Sequence, residues 1–413
     1  MHFIRGLKTA GRESGQVLVL FAVSLSALLL CAGMAIDFGL AYLTKAQLAR
    51  ASDAASLTVM LNLGQGQTVA SSLGQNMFAA NLFLSRSWYA SAPVATISFA
   101  TDAYGDPIVN VAATATTNTY FIRLAGFTTL AVSNSSQATR PPVILAMALD
   151  RSGSMGSDGG STALPPAVRT FLYYFIENQD QLSEESFSYT DRIDVPMTKT
   201  FHTPINNSLS AMTYIGATFG YGGLVDAEAQ VLSVAPPPGA ERVVVFFTDG
   251  MANTIQDILK CPPGNTKELD YGGNDTGTSY NVWLSTDTTG KNISSTCNPT
   301  TFPATDPVLG GGGSLATAKW ITLDQTQITT EGEYRAINEA NKMRAEGITV
   351  YAVGLGTGVN PTFLQEVAND PSSPTYDASF LPGLAEFSTS GTDTNLSVAF
   401  QQIGNAIVNR LTH

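Results

Sequence analysis

Charge is scarce in this chain. Asp, Glu, Lys and Arg make up only 13% of its 413 residues, and the formal net charge is −12. No Lys/Arg-rich run lies beyond Arg12. A nucleic-acid interface needs a basic footprint, so that class is disfavoured, as is broad adhesion to anionic lipid surfaces. Histidine is nearly absent: His2, His202 and His413 are the three, and two sit at the termini. A Ser-His-Asp or Cys-His catalyst would therefore have only His202, which reads as a loop residue. Neither a Gly-x-Ser-x-Gly elbow nor a phosphate-binding Gly-Lys-Ser/Thr loop occurs. Cysteine is limited to three residues. Cys31 lies in an apolar run and reads as a small apolar side chain. Cys261 and Cys297 have no nearby His and form no Cys-x-x-Cys, so zinc is disfavoured. In an oxidising compartment they are disulfide candidates closing a loop of about 37 residues, worth roughly 3–4 kcal/mol in the chain-entropy model. Two free thiols are the alternative.

What is present is a set of bare apolar runs that end on oxygen-bearing residues. Val143–Leu149 has the length of a fully buried strand and ends on Asp150-Arg151-Ser152-Gly153-Ser154. Arg242–Phe247 is a second such run and ends on Thr248-Asp249-Gly250. Ile348–Gly354 is a third, following a helix-like stretch from Tyr334 to Glu346. Strands alternating with helices predict a parallel sheet. In such sheets ligands sit at the carboxyl ends of the strands. Asp150, Ser152, Ser154 and Asp249 are therefore expected to converge there, with Thr218 added from the Gly216-Ala217-Thr218 loop, near Thr213. All are hard oxygen donors, suited to Mg²⁺, Mn²⁺ or Ca²⁺. Taken one at a time, each piece is equally a polar turn.

These residues resemble the von Willebrand factor A (vWA) domain and its metal-ion-dependent adhesion site. The resemblance implies an α/β fold: a vWA-type doubly wound, mostly parallel sheet with helices on both faces. It also implies one divalent cation, Mg²⁺ foremost, with Ser152, Ser154 and Thr218 as direct ligands and Asp150 and Asp249 acting through water. Activity of that kind is adhesion rather than turnover: open positions on the ion accept a partner protein's Asp or Glu. Metal-assisted hydrolysis by Asp150 and Asp249 is the enzymatic alternative, but no general base accompanies them.

The other end of the chain is apolar. Val17–Ile36 carries no charge and is about as long as a bilayer-spanning helix needs to be. Arg5, Lys8 and Arg12 precede it, which predicts a cytoplasmic N-terminus over 1–14, a membrane helix over 15–36 and everything after Asp37 outside. A cleaved signal peptide is the rival reading. Leu40–Leu63 lacks Pro and Gly, so membrane helix and stalk are expected to be continuous up to Gly64. Residues 15–63 resemble the N-terminal segment of TadE/TadG-like proteins of tight-adherence (Flp) pilus assembly. Gly15, the apolar run, Asp37 with its following aromatic, and Gln47–Ala55 carry that resemblance. TadG-like members pair this segment with a vWA domain, and Ala399–Gly404 with Arg410-Leu411-Thr412 are similar to that family's closing helix. Prepilin-type processing wants a glutamate where this chain, counted from Gly15, has Leu20. The resemblance implies non-enzymatic support of pilus assembly, with other assembly subunits as partners through the N-terminal helix. A surface adhesin is the alternative.

Between these ends the pattern predicts a stalk region over 37–85, with helix from Val69 to Leu84. A small antiparallel sheet follows over 86–140, with strands at Val94–Phe99, Ile108–Thr114 and Tyr120–Ile122. Asp37 and Asp53 read as stalk-surface charges or subunit contacts. Pro141-Pro142 opens the vWA domain, 141–413, interrupted by an inserted segment, 256–330, beside the metal loops. One stretch resists the pattern. The second vWA strand should follow a helix over Ala167–Ile176, but Leu182-Ser183-Glu184-Glu185-Ser186 places two glutamates on opposite faces of any strand. That strand is expected to be short, displaced or replaced by a loop, with Arg192–Val195 as an edge strand instead.

Overall fold

The computed structural model describes residues 14–82, 89–103, 105–261, 265–273, 280–284, 293, 302–303, 320–321, 325–388 and 393–411. The chain divides into two compact units. The first comprises residues 1–60, 67–101 and 107–139; the second comprises 61–66, 102–106 and 140–413.

The first unit is built on one helix. α1 runs unbroken from Ser14 to Leu61. Its apolar N-terminal part, from Val17 to Ile36, is largely exposed. From Leu48 onward the helix has a buried stripe, Leu48, Ala51, Ser52, Ala55, Ser56, Val59 and Met60, at helical spacing. α2 (Gln67–Asn81) lies against it. Its Gly74 is needed there, because a Cβ would overlap Val59. A three-stranded antiparallel sheet completes the unit: β1 (Ala90–Thr101), β2 (Pro107–Asn118) and β3 (Thr129–Thr139), in the order β1-β2-β3. Polar groups on the stripe are matched by the sheet. Asn134 donates to Ser52 Oγ at 2.8 Å, and Ser56 and Ser136 hydroxyls meet at 3.0 Å. Two expectations are corrected here. Tyr120–Ile122 is not a strand but the start of a loop containing a 3₁₀ turn, Ile122–Ala125, and the third strand is β3. Asp37 is not a surface charge: it is buried and accepts backbone N–H bonds from that loop. Asp53 does lie exposed on α1.

The second unit is an α/β domain with a six-stranded, mostly parallel sheet, as expected for a doubly wound fold. Its strands and helices, in chain order, are β4 (Val143–Asp150), the single turn α3 (Ser154–Ser157), α4 (Gly160–Leu172), β5 (Gln181–Phe187), β6 (Asp191–Thr198), α5 (His202–Ala211), α6 (Gly220–Leu232) and β7 (Glu241–Thr248). A peripheral segment follows, with β8 (Thr254–Cys261), β9 (Asn265–Gly273) and β10 (Tyr280–Leu284) as an antiparallel meander and β11 (Phe302–Pro303) paired with β12 (Trp320–Ile321). The chain then returns through α7 (Gln325–Ala345), β13 (Ile348–Leu355), α8 (Pro361–Ala368), β14 (Ala385–Ser388) and α9 (Asp393–Leu411). α7 begins inside the segment read from sequence as inserted. The expected Cys261–Cys297 pairing lies outside the described residues.

The main sheet has the order β14-β13-β7-β4-β5-β6. Every neighbouring pair is parallel except β5–β6. β4 is buried at every position, because helices cover both faces. Its odd-numbered Val143, Leu145, Met147 and Leu149 join a core with α4, α5 and α9. Its even-numbered Ile144, Ala146 and Ala148 join a second core with α6, α7 and α8. That alternation is the period-two geometry of a strand.

The second strand departs from expectation. β5 is full length, pairs with β4 along its whole span and buries both glutamates. They do point to opposite faces. Glu184 reaches the α5 side, where Ser208 Oγ donates to it at 2.9 Å. Glu185 sits on the α6 side, with Asp226 the largest of the acidic influences on it. Burial raises both: Glu184 is pushed up to about 8, and Glu185 well above its ordinary value. The shift of both is towards the protonated form, and a neutral carboxyl is far cheaper to bury than a charged one. Arg192–Val195 does lie in an edge strand, β6, beside β5 rather than in its place. α4 also begins earlier than expected, at Gly160, and ends at Leu172.

Candidate metal centre

Strand order fixes where the site lies. From β4 the chain passes to β5 and β6 on one side, and later to β7, β13 and β14 on the other. The crevice between the carboxyl ends of β4 and β7 is thus the topological switch point, the favoured ligand position in an open α/β sheet. Asp150 ends β4, and Asp249 follows the last residue of β7.

Three loops meet there. The Asp150–Ser154 loop is pinned to β5, since Arg151 N–H donates to Phe187 O at 2.9 Å. The buried Arg151 side chain adds Nε to Ser186 Oγ at 3.1 Å and stacks its guanidinium 5.7 Å from the Tyr189 ring centre. The Gly216–Thr218 loop is tied to the first by Gly153 N–H to Gly216 O at 3.0 Å. Gly216 has φ of +90°, and a Cβ there would overlap Tyr189, so glycine is required twice over. The third loop, after β7, is tied to the second by Thr218 N–H to Asn253 Oδ1 at 2.7 Å.

The five residues singled out from the sequence come together. Ser152 and Ser154 hydroxyls are 3.0 Å apart. Both donate to Asp249 Oδ1, at 3.3 Å and 2.8 Å. A Cβ built on Gly250 would stand 3.7 Å from Thr218 Oγ1 and 3.8 Å from Ser154 Oγ, so those two hydroxyls flank one small space. Thr213, the neighbouring candidate, is exposed, whereas Thr218 is buried. Asp150 is buried beneath: Ser152 N–H donates to Oδ1 at 2.7 Å and Thr248 Oγ1 to Oδ2 at 2.6 Å. A cavity of ≈ 340 Å³ opens above them, lined among others by Asp158, Asn253 and Met251. Sequence reasoning passed over Thr248 and Asn253. Thr248 stood in the quoted Thr-Asp-Gly run, but nothing local marks Asn253.

The electrostatics fit a cation. Burial raises Asp150, offset by the Thr248 and Ser152 donors. Burial first, and then the Asp150 charge, push Asp249 up to about 8. Asp249 Oδ2 is buried without a partner, an orphaned acceptor aimed where positive charge would satisfy it. Among the described residues no three His, Cys, Asp or Glu side chains converge, so a cation here would depend on hydroxyl ligands. That donor set is hard, as Mg²⁺, Mn²⁺ and Ca²⁺ require. His202 does not lie in a loop: it opens α5 and packs against the Phe201 and Tyr173 rings, at 4.8 and 5.4 Å.

Residues 15–62 match the family model described as putative Flp pilus-assembly TadE/G-like. That match covers only the N-terminal segment, the greater part of α1. No curated protein sequence matches the chain. Among solved structures it is similar to the pilus adhesin SpaC from Lactobacillus rhamnosus GG, at 16% identity and a TM-score of 0.42, over 77% of this chain and 35% of that one. The vWF domain of the type V pili tip protein Mfa5 from Porphyromonas gingivalis is 16% identical, with a TM-score of 0.41, over 67% of this chain and 98% of that domain. Proximal thread matrix protein 1 from the mussel byssus, with a zinc-occupied MIDAS motif, is 15% identical, with a TM-score of 0.37, over 65% of this chain and 46% of that one. The chain thus spans about a third of the SpaC adhesin and under half of the byssus protein.

Proposed function

We propose that this chain is a membrane-anchored, exported vWA protein that supports assembly or anchoring of Flp-type pili by divalent-cation-dependent protein binding, without catalytic turnover. One observation carries the reading: three hydroxyls and two carboxylates converge at the β4–β7 switch point, and one of those carboxylates keeps an orphaned buried oxygen, Asp249 Oδ2. Ser152, Ser154 and Thr218 would hold the ion directly, with Asp150 and Asp249 behind them. When bound, the cation supplies a positive point with open positions that a partner's Asp or Glu can fill. The chain's own part is to hold the donors still. Thr248 and the Ser152 N–H orient Asp150, the Arg151 contacts fix the first loop on β5, and Asn253 fixes Thr218. The TadE/G-like match over 15–62 supports the pilus context. The apolar helix and the basic residues before it support an anchor with the bulk of the chain outside the cytoplasm.

Calorimetric titration of the detergent-solubilised full chain with Mg²⁺, Mn²⁺ and Ca²⁺ tests the site. Saturable binding that disappears in the Asp150→Ala, Ser152→Ala double variant is the expected result. Binding of equal strength in that variant would refute the assignment.

A further inference from the structure

The loop joining β2 to β3 carries large apolar side chains into the open. Leu124 is 80% exposed, Phe127 62%, and Tyr120 and Phe121 37% each. Scattered exposed apolar residues need no explanation, but four within eight positions of one loop do. The loop is also held in a defined place. Asp37 accepts three consecutive backbone N–H bonds from it: Tyr120 at 2.9 Å, Phe121 at 2.9 Å and Ile122 at 2.8 Å. Asp37 is the first charged residue after the apolar run, at the point where α1 would leave a bilayer. The loop then reaches back along the helix: Phe121 packs on Gly33, where a Cβ would overlap its ring. At 1.5 Å per residue, Gly33 lies about 6 Å inside the apolar run from Asp37.

We propose that residues 120–127 form an interfacial membrane-docking loop that seats in the headgroup region beside the outer end of α1. This rests on the reading of 15–36 as a membrane span. The argument for lipid rather than protein is continuity: through Phe121 on Gly33 the loop adjoins a helix that is itself largely exposed and apolar from Val17 to Ile36. The depth agrees too, because amphipathic elements seat their apolar faces about 5–10 Å into the headgroup boundary. Composition agrees as well. Tyr120, Phe121 and Phe127 are aromatic, Leu124 is aliphatic, and Arg123 supplies an exposed cation for phosphates. Asp37 has a purpose in this arrangement: it satisfies backbone donors that would otherwise lie unpaired close to hydrocarbon, where such groups are costly.

The test places single added tryptophans in the full chain, reconstituted in phosphatidylcholine bilayers brominated either near the glycerol end or near the methyl end of the acyl chains. Each signal is read as the increment over the unsubstituted protein. Leu124→Trp is expected to lose most of its added fluorescence with glycerol-end bromine and little with methyl-end bromine. Phe127→Trp repeats the measurement at a second exposed position. Leu25→Trp, in the middle of the apolar run, is expected to show the reverse. Thr96→Trp, exposed on β1, is expected to be untouched by either. Quenching of Leu25→Trp with none at Leu124 or Phe127 leaves the membrane span standing and overturns the docking loop, whose apolar face then meets water or another protein. If Leu25→Trp is also unquenched, the span fails, and the docking loop fails with it.

Discussion

Thr248 Oγ1 donates to Asp150 Oδ2 at 2.6 Å, joining the ends of two strands that neighbour each other in the sheet but lie 98 residues apart in the chain. The bond sets which oxygen of Asp150 faces Ser152 and which faces β7. Thr248→Val keeps the shape of the side chain and removes the donor. Hydrogen bonds to charged groups are worth about 1.5–3 kcal/mol, so loss of stability in that range is expected by chemical denaturation. Cation affinity should fall alongside it in calorimetry.

Glu184 gives stability a pH dependence whose sign is fixed. Burial raises its folded-state pKa to about 8, above the ordinary 4.5 it regains when unfolded. Between those values the folded state holds a proton that the unfolded state releases, so Glu184 makes stability fall as pH rises from about 4.5 to about 8 and stay level above. Glu184→Gln removes that slope. The variant should gain on the parent as pH rises, by a few kcal/mol at most at about 1.4 kcal/mol per pKa unit. Thermal unfolding at a series of pH values reads the crossing; parallel curves would count against a protonated Glu184.

Asp180 is the hub of a buried polar knot. Arg140 pairs with it while the N–H groups of Val143, at 2.8 Å, and Ile176, at 2.6 Å, donate to the same carboxylate. Asp180→Ala strands a buried guanidinium, and breaking such a pair from one side costs about 3–5 kcal/mol. Arg140→Met with Asp180→Ala should recover part of that loss, because the uncompensated charge is gone. Denaturant midpoints of the two variants make the comparison.

Asp37→Ala should free the loop it caps. The amides of Tyr120, Phe121 and Ile122 lose their acceptor together, so their hydrogen exchange is expected to speed up while that of β2 stays slow. Asp37→Asn, which keeps acceptor oxygen but not the charge, should lie between the two.

Much of the second unit was readable because three of its strands are largely apolar runs, two of which have a carboxylate or hydroxyl at the tip. β4, β7 and β13 could be little else, and four of the five candidate site residues hang from the ends of β4 and β7, with Thr218 from the loop before α6. β5 was not readable because its code is conditional. Glu184 and Glu185 look unburiable as ions, and it is the fold's own desolvation that shifts both towards the neutral form. β3 escaped notice for a different reason. Its more buried face carries Leu130, Val132, Asn134, Ser136 and Ala138, and the polar Asn134 and Ser136, which pair with α1, interrupt the apolar alternation. Asp37 shows the limit of local reading. Its partners lie more than 80 residues downstream, and nothing near it in the sequence says that it is buried.

α1 has no joint. Its 48 residues correspond to about 72 Å of helix, and the part that packs on the sheet follows the apolar part without proline or a break in the helix. If the apolar part is seated in a bilayer, a pull on the first unit reaches the membrane through helical backbone rather than through a slack tether. There is no extensible segment to take up load between Asp37 and Leu48. Such an anchor yields by withdrawal of the helix from lipid or by unfolding of the sheet around it, and the three bonds at Asp37 stand at the boundary between those two modes of failure.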